Sequence, residues 1–467
     1  GAWVAPNSGR QLTVVSPDSE QVIARVAEAD EVDMDRAVDA ARKAFDEGPW
    51  PWMSPAERIA AMTRLVEALR KREPELAAVW SQQMGGLASF APGFVARGTQ
   101  NLQEAIDLGK TFPFITRAES PAAAAAYIVH EPVGVVAAIA PWNVPYMIMA
   151  AKIAPALLSG CSVIMKPSPE TPLEAYIIAE CAEEAGLPPG VINLVPGHRE
   201  AADHLVCNPG VDKVSFTGST VAGKRIAEVC GSRIARYTLE LGGKSAAIVL
   251  DDYSTDDVAN VLSGAITLIS GQVCAMLTRV IVPRTRHDEI ADAIATAMQK
   301  IRIGHSDDPE SQMGPLAMKR QLERVEGYIE KGRQEGASLV TGGGRPASLN
   351  RGYFFEPTLF ANVRNNMTIA QEEIFGPVLS LIPCEDVDDA IRIANESNYG
   401  LNGSVLTHDA DAAWRVARRV RTGNVGQNGM RNDFSLPFGG YKQSGVGREG
   451  TAQGLMHYLE TKTILLD

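Results

Sequence analysis

Five short stretches of the 467-residue chain carry residue types suited to nucleophilic, acid–base or anion-binding chemistry. Cys274, in Ser270-Gly-Gln-Val-Cys-Ala275, is a candidate nucleophile. Placed at a strand–helix junction beside a glycine and facing backbone N–H groups, its thiol pKa would be lowered; a lone Cys is more often a small buried hydrophobe. Glu240, in Leu239-Glu-Leu-Gly-Gly-Lys-Ser245, lies between two leucines and before a Gly-Gly turn, which predicts partial burial. Burial raises a carboxyl pKa and suits a base near neutral pH, although a structural carboxylate paired with Lys or Arg fits the same pattern. Asn143, in Pro141-Trp-Asn-Val-Pro145, can aim its amide N–H at a developing oxyanion or simply make a turn between prolines. Lys166 precedes Pro167-Ser-Pro-Glu-Thr-Pro172 at a strand end, where a Lys reaches a ribose or phosphate or stands in solvent. Gly218-Ser-Thr-Val-Ala-Gly223 follows an apolar strand and opens a helix, so its backbone can approach a phosphate. Its middle position is Thr220, not Gly, so it departs from the usual dinucleotide fingerprint, and an ordinary glycine turn is the competing reading.

These residues need elements to hold them. Apolar spacing predicts helices over Arg36–Phe45 and Pro55–Met84, the second with Ser54 as N-cap and Pro55 as first helical residue. Strands and helices then alternate: strands at Gly134–Ala140, Cys161–Lys166, Val191–Val195 and Lys213–Phe216, helices at Tyr146–Leu158, Pro172–Ala185 and Ala222–Val229. A second block repeats the alternation, with strands at Ser245–Leu250, Val280–Val282 and Gly376–Pro383. Its helices are Asp256–Ile269, Arg286–Ile301, Met318–Gln334 and Val387–Glu396. Short apolar strands alternating with helices imply α/β architecture with parallel, doubly wound sheets.

Length and composition agree. The chain exceeds one ordinary compact domain, and 45% apolar with 21% charged residues is a globular balance. A net charge of −12 gives no electrostatic footprint for nucleic acid, and no basic amphipathic helix points to a membrane surface. The uncharged run Pro132–Ala151 is long enough to span a bilayer, but Pro132, Pro141, Asn143 and Pro145 interrupt it. A buried strand, a turn and a core helix are predicted there. The six cysteines form no Cys-x-x-Cys pair, which favours a reducing compartment, the cytoplasm. No cluster of His, Cys and acidic residues has metal-ligand spacing, so no metal is expected.

Taken together and in order, the stretches resemble the aldehyde dehydrogenase superfamily over essentially the whole chain. The matching pieces are the Pro-Trp-Asn block, the Lys-Pro block, Phe216-Thr-Gly-Ser-Thr, Glu-Leu-Gly-Gly-Lys, Gly-Gln-Val-Cys, Glu372-Glu-Ile-Phe-Gly-Pro-Val378 and Pro437-Phe-Gly-Gly-Tyr-Lys-Gln-Ser-Gly445. The resemblance implies a fold of two doubly wound α/β domains plus a small β oligomerisation arm. Residues 1–113 and 133–244 would bind the dinucleotide, 245–444 would carry catalysis, and 114–132 with 445–467 would form the arm. It implies Cys274 as the thiolate, Asn143 with the Cys274 N–H as oxyanion hole, and Glu240 as base for thioester hydrolysis. Lys152 and Glu449 match positions that pass protons from Glu240. Lys166 and Glu373 resemble ribose ligands, while Trp142, Gly218, Ser219, Gly223, Leu241 and Phe375 resemble residues lining the dinucleotide.

The expected activity is non-acylating oxidation of an aldehyde to its acid with NAD, with NADP possible. The Glu found three residues after the Lys in many NAD-preferring relatives is replaced by Pro169, with Glu170 one later, and Gly197 is followed by His198 and Arg199 where a second Gly is usual. Met84-Gly-Gly-Leu87 replaces a Thr-Gly-Lys-Pro turn, read as a surface difference. CoA-acylating relatives commonly lack the base carboxylate, so Glu240 argues against that activity, and the presence of nucleophile and cofactor residues argues against a catalytically silent protein. Val144, Ile148, Ala151, Val273, Ala275 and Phe438 form the expected tunnel, an apolar one. Arg431 and Asn432 lie in the loop before Pro437, and Arg431 is read as a solvated loop residue rather than a carboxylate ligand. Partners are an aldehyde and further copies of the chain, as a homodimer or homotetramer.

Overall fold

Val135–Ile139 and Ser162–Lys166 are buried throughout and, up to the terminal Lys166, apolar or small, as strands covered on both faces must be. The computed structural model describes residues 2–467. It pairs these two strands in parallel and extends them into a six-stranded sheet in the order Gly445–Val446, Arg236–Glu240, Lys213–Thr217, Val135–Ile139, Ser162–Lys166, Ile192–Leu194. Only the edge strand Gly445–Val446 runs antiparallel. The chain winds outward from Val135 to Ile192 and then returns to the other side of Val135. The switch point falls between Val135–Ile139 and Lys213–Thr217, the place beyond whose strand ends doubly wound sheets bind ligands.

The second sheet has seven strands in the order Ser338–Thr341, Thr358–Ala361, Val378–Cys384, Leu277–Pro283, Ser245–Val249, Gly403–Leu406, Gly426–Gln427, parallel except at Ser338–Thr341. Apolar clusters cover both faces of each sheet. A third, three-stranded sheet joins Ile115–Ala118, Ala125–Pro132 and the C-terminal strand Leu459–Leu466. Only Leu241–Lys244 separates the last residue of Arg236–Glu240 from the first of Ser245–Val249, so one short linker ties the two large sheets together.

Several boundaries differ from expectation. The predicted helix over Pro55–Met84 is two helices, Pro55–Lys71 and Glu73–Met84, because Pro74 has no N–H for a continuous ladder and starts a new first turn instead. The helix Ala91–Gly109 and the strand Arg236–Glu240 were not anticipated. The helix predicted to Ile269 ends at Thr267, and Ile269 and Ser270 take left-handed φ values of 50° and 53°. Met84–Leu87 is not a surface feature: it is buried, and a Cβ on Gly86 would stand 2.1 Å from the Trp80 ring. In Pro132–Ala151 the strand and core helix appear as predicted, and among the described residues no helix is long and apolar enough to cross a membrane.

Candidate active site

Cys274 sits in a turn between the 3-10 turn Leu268–Gly271 and the strand Leu277–Pro283, at the leading end of the second sheet, rather than at a strand–helix junction. Gly243, in the linker, lets it come close: a Cβ there would lie 2.4 Å from the Cys274 carbonyl oxygen. Glu240 closes the strand Arg236–Glu240 at the trailing end of the first sheet. The sequence therefore places both residues from opposite sheets against one four-residue linker. Both line a single cavity of about 770 Å³, together with Asn143, Thr217 and Glu449.

The electrostatics differ from expectation at the thiol. Burial pushes Cys274 up to about 12, and the carboxylates of Glu373 and Glu240 add to the rise; the N–H groups of Ala275 and Cys274 oppose it only in part. Glu240 is 3% exposed and neither carboxylate oxygen has a hydrogen-bond partner among the described residues. Its pKa stands well above the usual carboxylate range, first because of burial and then because Glu449 is near, while Lys152 and Arg448 pull it down. Lys152 is fully buried and its Nζ donates to Glu449 Oε1 at 2.7 Å. Glu240 and Glu449, on the cavity wall, thus form one ionisable cluster with the fully buried Lys152.

Asn143 is held through side chain and main chain. Its Nδ2 donates to the Gln272 carbonyl at 3.0 Å, and its backbone carbonyl accepts from Trp80 Nε1 at 2.9 Å. An amide carries two N–H donors, so one remains. Gln272 is itself fully buried; its Nε2 donates to Ile269 O at 2.9 Å and its Oε1 accepts from Ala317 N at 3.0 Å. Trp80 and Gln272 were missed in the sequence. Gln272 stands two residues before Cys274 in a quoted motif, whereas nothing local marks Trp80.

The residues expected to hold a dinucleotide stand at strand ends, helix starts and loops, none of them on that cavity. Lys166 ends its strand, is buried, and is pulled down to about 8 by burial, opposed only by Glu170. Ser219 caps the helix Thr220–Arg233, accepting from Ala222 N, and Gly223 makes room for Leu241: a Cβ would lie 2.5 Å from that side chain. Gly218 likewise has no room for a Cβ, which would meet the Phe216 ring at 2.5 Å. Glu373 Oε1 accepts from Gly243 N at 3.0 Å, and burial raises its carboxyl to about 7. Trp142 and Phe375 meet edge to face at 5.2 Å; Phe375 has φ 62° and its carbonyl accepts from Gln321 at 2.6 Å. A buried ammonium without a bonded carboxylate at a strand end suits a phosphorylated, ribose-bearing ligand. Glu170 does not bond to Lys166; it pairs with Arg320 and Ser168.

All six expected tunnel residues line the cavity, as does Asn432, while Arg431 is exposed and bonds only weakly to Gln427 O at 3.4 Å. Phe90, Phe94, Met147, Leu268 and Phe434 complete the apolar wall and were not anticipated, two of them because they lie on or beside the unpredicted helix Ala91–Gly109.

The comparisons agree with this geometry. A model of the Aldehyde dehydrogenase family matches residues 3–464. Geranial dehydrogenase of Castellaniella defragrans is 44% identical over 475 residues, covering 100% of this chain and 97% of its own length. A Mycobacterium tuberculosis aldehyde dehydrogenase complexed with NAD+ superposes with a TM-score of 0.96 at 40% identity, covering 100% of this chain and 97% of that one. A mutant of aldehyde dehydrogenase C from Pseudomonas syringae, complexed with NAD+ and octanal, gives 0.95 at 40% identity, covering 99% and 95%. Matched by that family model over residues 3–464 and 44% identical to a relative along its whole length, this chain belongs to the aldehyde dehydrogenase family.

Proposed function

We propose that this chain oxidises an apolar aldehyde to its carboxylic acid with NAD+, through a covalent intermediate on Cys274. The observation that carries this reading is the shared cavity: thiol, carboxyl and amide donor line one apolar space. The relatives support it, since geranial and octanal, named with two of them, are both apolar aldehydes.

Cys274 Sγ, once deprotonated, adds to the aldehyde carbon and forms a C–S bond. Glu240, with its raised pKa, is suited to take that proton. The free Asn143 N–H and the Cys274 N–H stabilise the resulting oxyanion, a contribution of several kcal/mol in such sites. When bound, NAD+ supplies the hydride acceptor that turns this adduct into a thioester. Glu240 then removes a proton from water as the water oxygen attacks the thioester carbon, the C–S bond breaks, and the acid leaves. The Lys152–Glu449 pair carries the proton away from Glu240. Lys166 and Glu373 would hold the two riboses, Trp142, Phe375 and Leu241 would pack on the dinucleotide, and the backbone from Gly218 through Ser219 to Gly223 would take its phosphates.

The three-stranded sheet leaves Ile115, Leu465 and Leu466 exposed, which supports its use in a homodimer or homotetramer. All six cysteines are free, consistent with a cytoplasmic protein. Incubation with NAD+ and hexanal tests the activity: one acid and one NADH per aldehyde are expected, with no need for CoA. Absence of NADH, or strict dependence on CoA, overturns the reading.

A further inference from the structure

The turn that carries Asn143 leads straight into the helix Pro145–Ser159, whose start has no side-chain cap of its own. The Val144 side chain offers no acceptor and Pro145 has no N–H, so Tyr146 carries the first unpaired donor of that helix. The Tyr146 N–H donates to the carboxyl group of Glu174, which stands in the first turn of another helix, Leu173–Glu184. Glu174 is 2% exposed, and its Oε2 also accepts from Gln83 Nε2 at 3.0 Å. Gln83 is buried as well, and its Oε1 accepts from Leu173 N at 3.2 Å. Trp80, three residues before Gln83 and on the same face of the helix Glu73–Met84, is the donor to the Asn143 backbone carbonyl. That helix therefore grips the Asn143 turn twice, directly through Trp80 and through Gln83 with Glu174.

Trp80, Val144, Tyr146, Met147 and Glu174 border one void with no room for a water molecule, so protein donors alone satisfy the carboxyl. Burial raises it to about 8, and the Gln83 amide and the Tyr146 N–H pull the other way. No cation pairs with Glu174 among the described residues. An apolar side chain would fill such a place at lower cost. What the carboxyl supplies is two acceptor oxygens for two donors on different helices. Asn143 spends one N–H on the Gln272 carbonyl, so the aim of its second N–H follows from where the turn stands. A displacement of about 1 Å there costs up to roughly a hundredfold in rate.

We propose, resting on the activity above, that Glu174 with Gln83 positions the oxyanion donor. The pair fixes the start of the helix Pro145–Ser159 and, with it, the reach of the Asn143 amide toward the aldehyde oxygen. Both are positioning residues, and neither lines the substrate cavity.

The test is the single-turnover rate of NADH formation from hexanal in wild type, Glu174→Leu and Gln83→Met, each also made in an Asn143→Ala background. Glu174→Leu keeps most of the volume and deletes both acceptor oxygens, and Gln83→Met deletes the amide that holds them. The rate falls about tenfold in Glu174→Leu and about three- to fivefold in Gln83→Met, less than the roughly 10²–10³ for losing a donor outright. In the Asn143→Ala background each change costs less than about twofold, because the group it positions is already gone. Alkylation of Cys274 by iodoacetamide, a displacement that forms no oxyanion, and KM for NAD+ both stay within about twofold. Glu174→Gln restores one acceptor and recovers part of the lost rate. Should Glu174→Leu not fold, Gln83→Met carries the same cycle. Equal losses with and without the Asn143 amide, or a rate within about twofold of wild type in a folded variant, overturn the proposal. Either outcome leaves wild-type hexanal oxidation in place, whereas its absence overturns the activity instead.

Discussion

Two walls meet at Cys274, and they are built on opposite principles. The crevice wall carries Lys166 and Glu373, buried charged groups whose pKa values burial has displaced toward their neutral forms, to about 8 and about 7. The other, the groove wall of the substrate cavity, carries Phe94, Met147, Leu268 and Phe434, apolar side chains that belong to one packed cluster. A polar group buried without its partner costs about 1–3 kcal/mol, so the first wall is completed only by a ligand with the right donors and acceptors. The second is already stable and selects by shape alone. The difference teaches that cofactor recognition here depends on residue identity and substrate recognition on volume. Cys274 and Glu240, at the junction, are where a change of a few atoms has the largest effect.

Cys274→Ala removes the atom that bonds to substrate, and turnover falls by on the order of 10³ or more while NAD+ binding is kept. Loss of NAD+ affinity along with activity would show that the two walls are not separable at this residue; steady-state rates with fluorescence titration of NADH decide it. Glu240→Gln lowers the steady-state rate by roughly 10²–10⁴. It leaves a rapid burst of NADH near one per site, because hydrolysis suffers more than the first step. The pH profile sharpens this. A base must be ionised to accept a proton, and the Glu240 pKa is raised by burial and by Glu449. The wild-type rate therefore climbs with pH through a range above that of ordinary carboxylates, and the variant loses that limb. A wild-type profile flat from pH 5 to 9 contradicts the assignment.

How much of this was legible in the sequence follows the same division. Residues of the crevice wall sit in short motifs, because each must be a particular type at a strand end or helix start; Lys166, Gly218 and Ser219 were singled out that way, Glu373 and Phe375 only through the family resemblance. The alternation of Val135–Ile139, Ser162–Lys166 and Lys213–Thr217 with helices was equally readable, since buried parallel strands are short apolar runs. The helix Ala91–Gly109 was not, because Pro92, Gly93 and Gly98 dilute its apolar periodicity, and with it went half of the groove. The strand Arg236–Glu240 was missed because it opens on an exposed Arg and a half-buried Tyr and ends on a charge, which leaves only Thr238 and Leu239 between them. The thiol pKa was misjudged in direction: nearby N–H groups were visible as a possibility, but the opposing carboxylates of Glu373 and Glu240 arrive from distant parts of the chain.

Trp80 tests whether the oxyanion donor depends on the groove wall behind it. Trp80 is 1% exposed, packs on Phe94 at 5.2 Å and donates to the Asn143 carbonyl. Trp80→Phe keeps most of the packing and deletes that bond, worth about 1 kcal/mol, so kcat falls about fivefold with KM for NAD+ unchanged. A fall in melting temperature without a fall in kcat would make Trp80 a packing residue only.

The smallest effect concerns cofactor choice, at the edge of the crevice. Pro169 occupies the place of the acidic residue that many NAD-preferring relatives use against a 2′-phosphate, and Glu170 was the candidate to replace it. Glu170 is ionised, held below the ordinary carboxylate range by Arg320 and Ser168 despite its burial. A carboxylate there repels a 2′-phosphate, but Arg320, more than half exposed, attracts it, and the two charges largely cancel. NAD+ is therefore preferred over NADP+ only about tenfold in kcat/KM, equivalent to about 1.4 kcal/mol. Arg320→Ala removes the attraction and leaves the repulsion. An exposed ion pair contributes at most about 1 kcal/mol, so the preference widens by about three- to fivefold. Glu170→Gln acts in the opposite direction and narrows it by a similar factor. Equilibrium titration with NADH and NADPH, alongside kinetics on hexanal, reads both changes. If Arg320→Ala narrows the preference, or if the wild type prefers NADP+, the guanidinium does not face the 2′ position and the crevice wall selects its cofactor elsewhere.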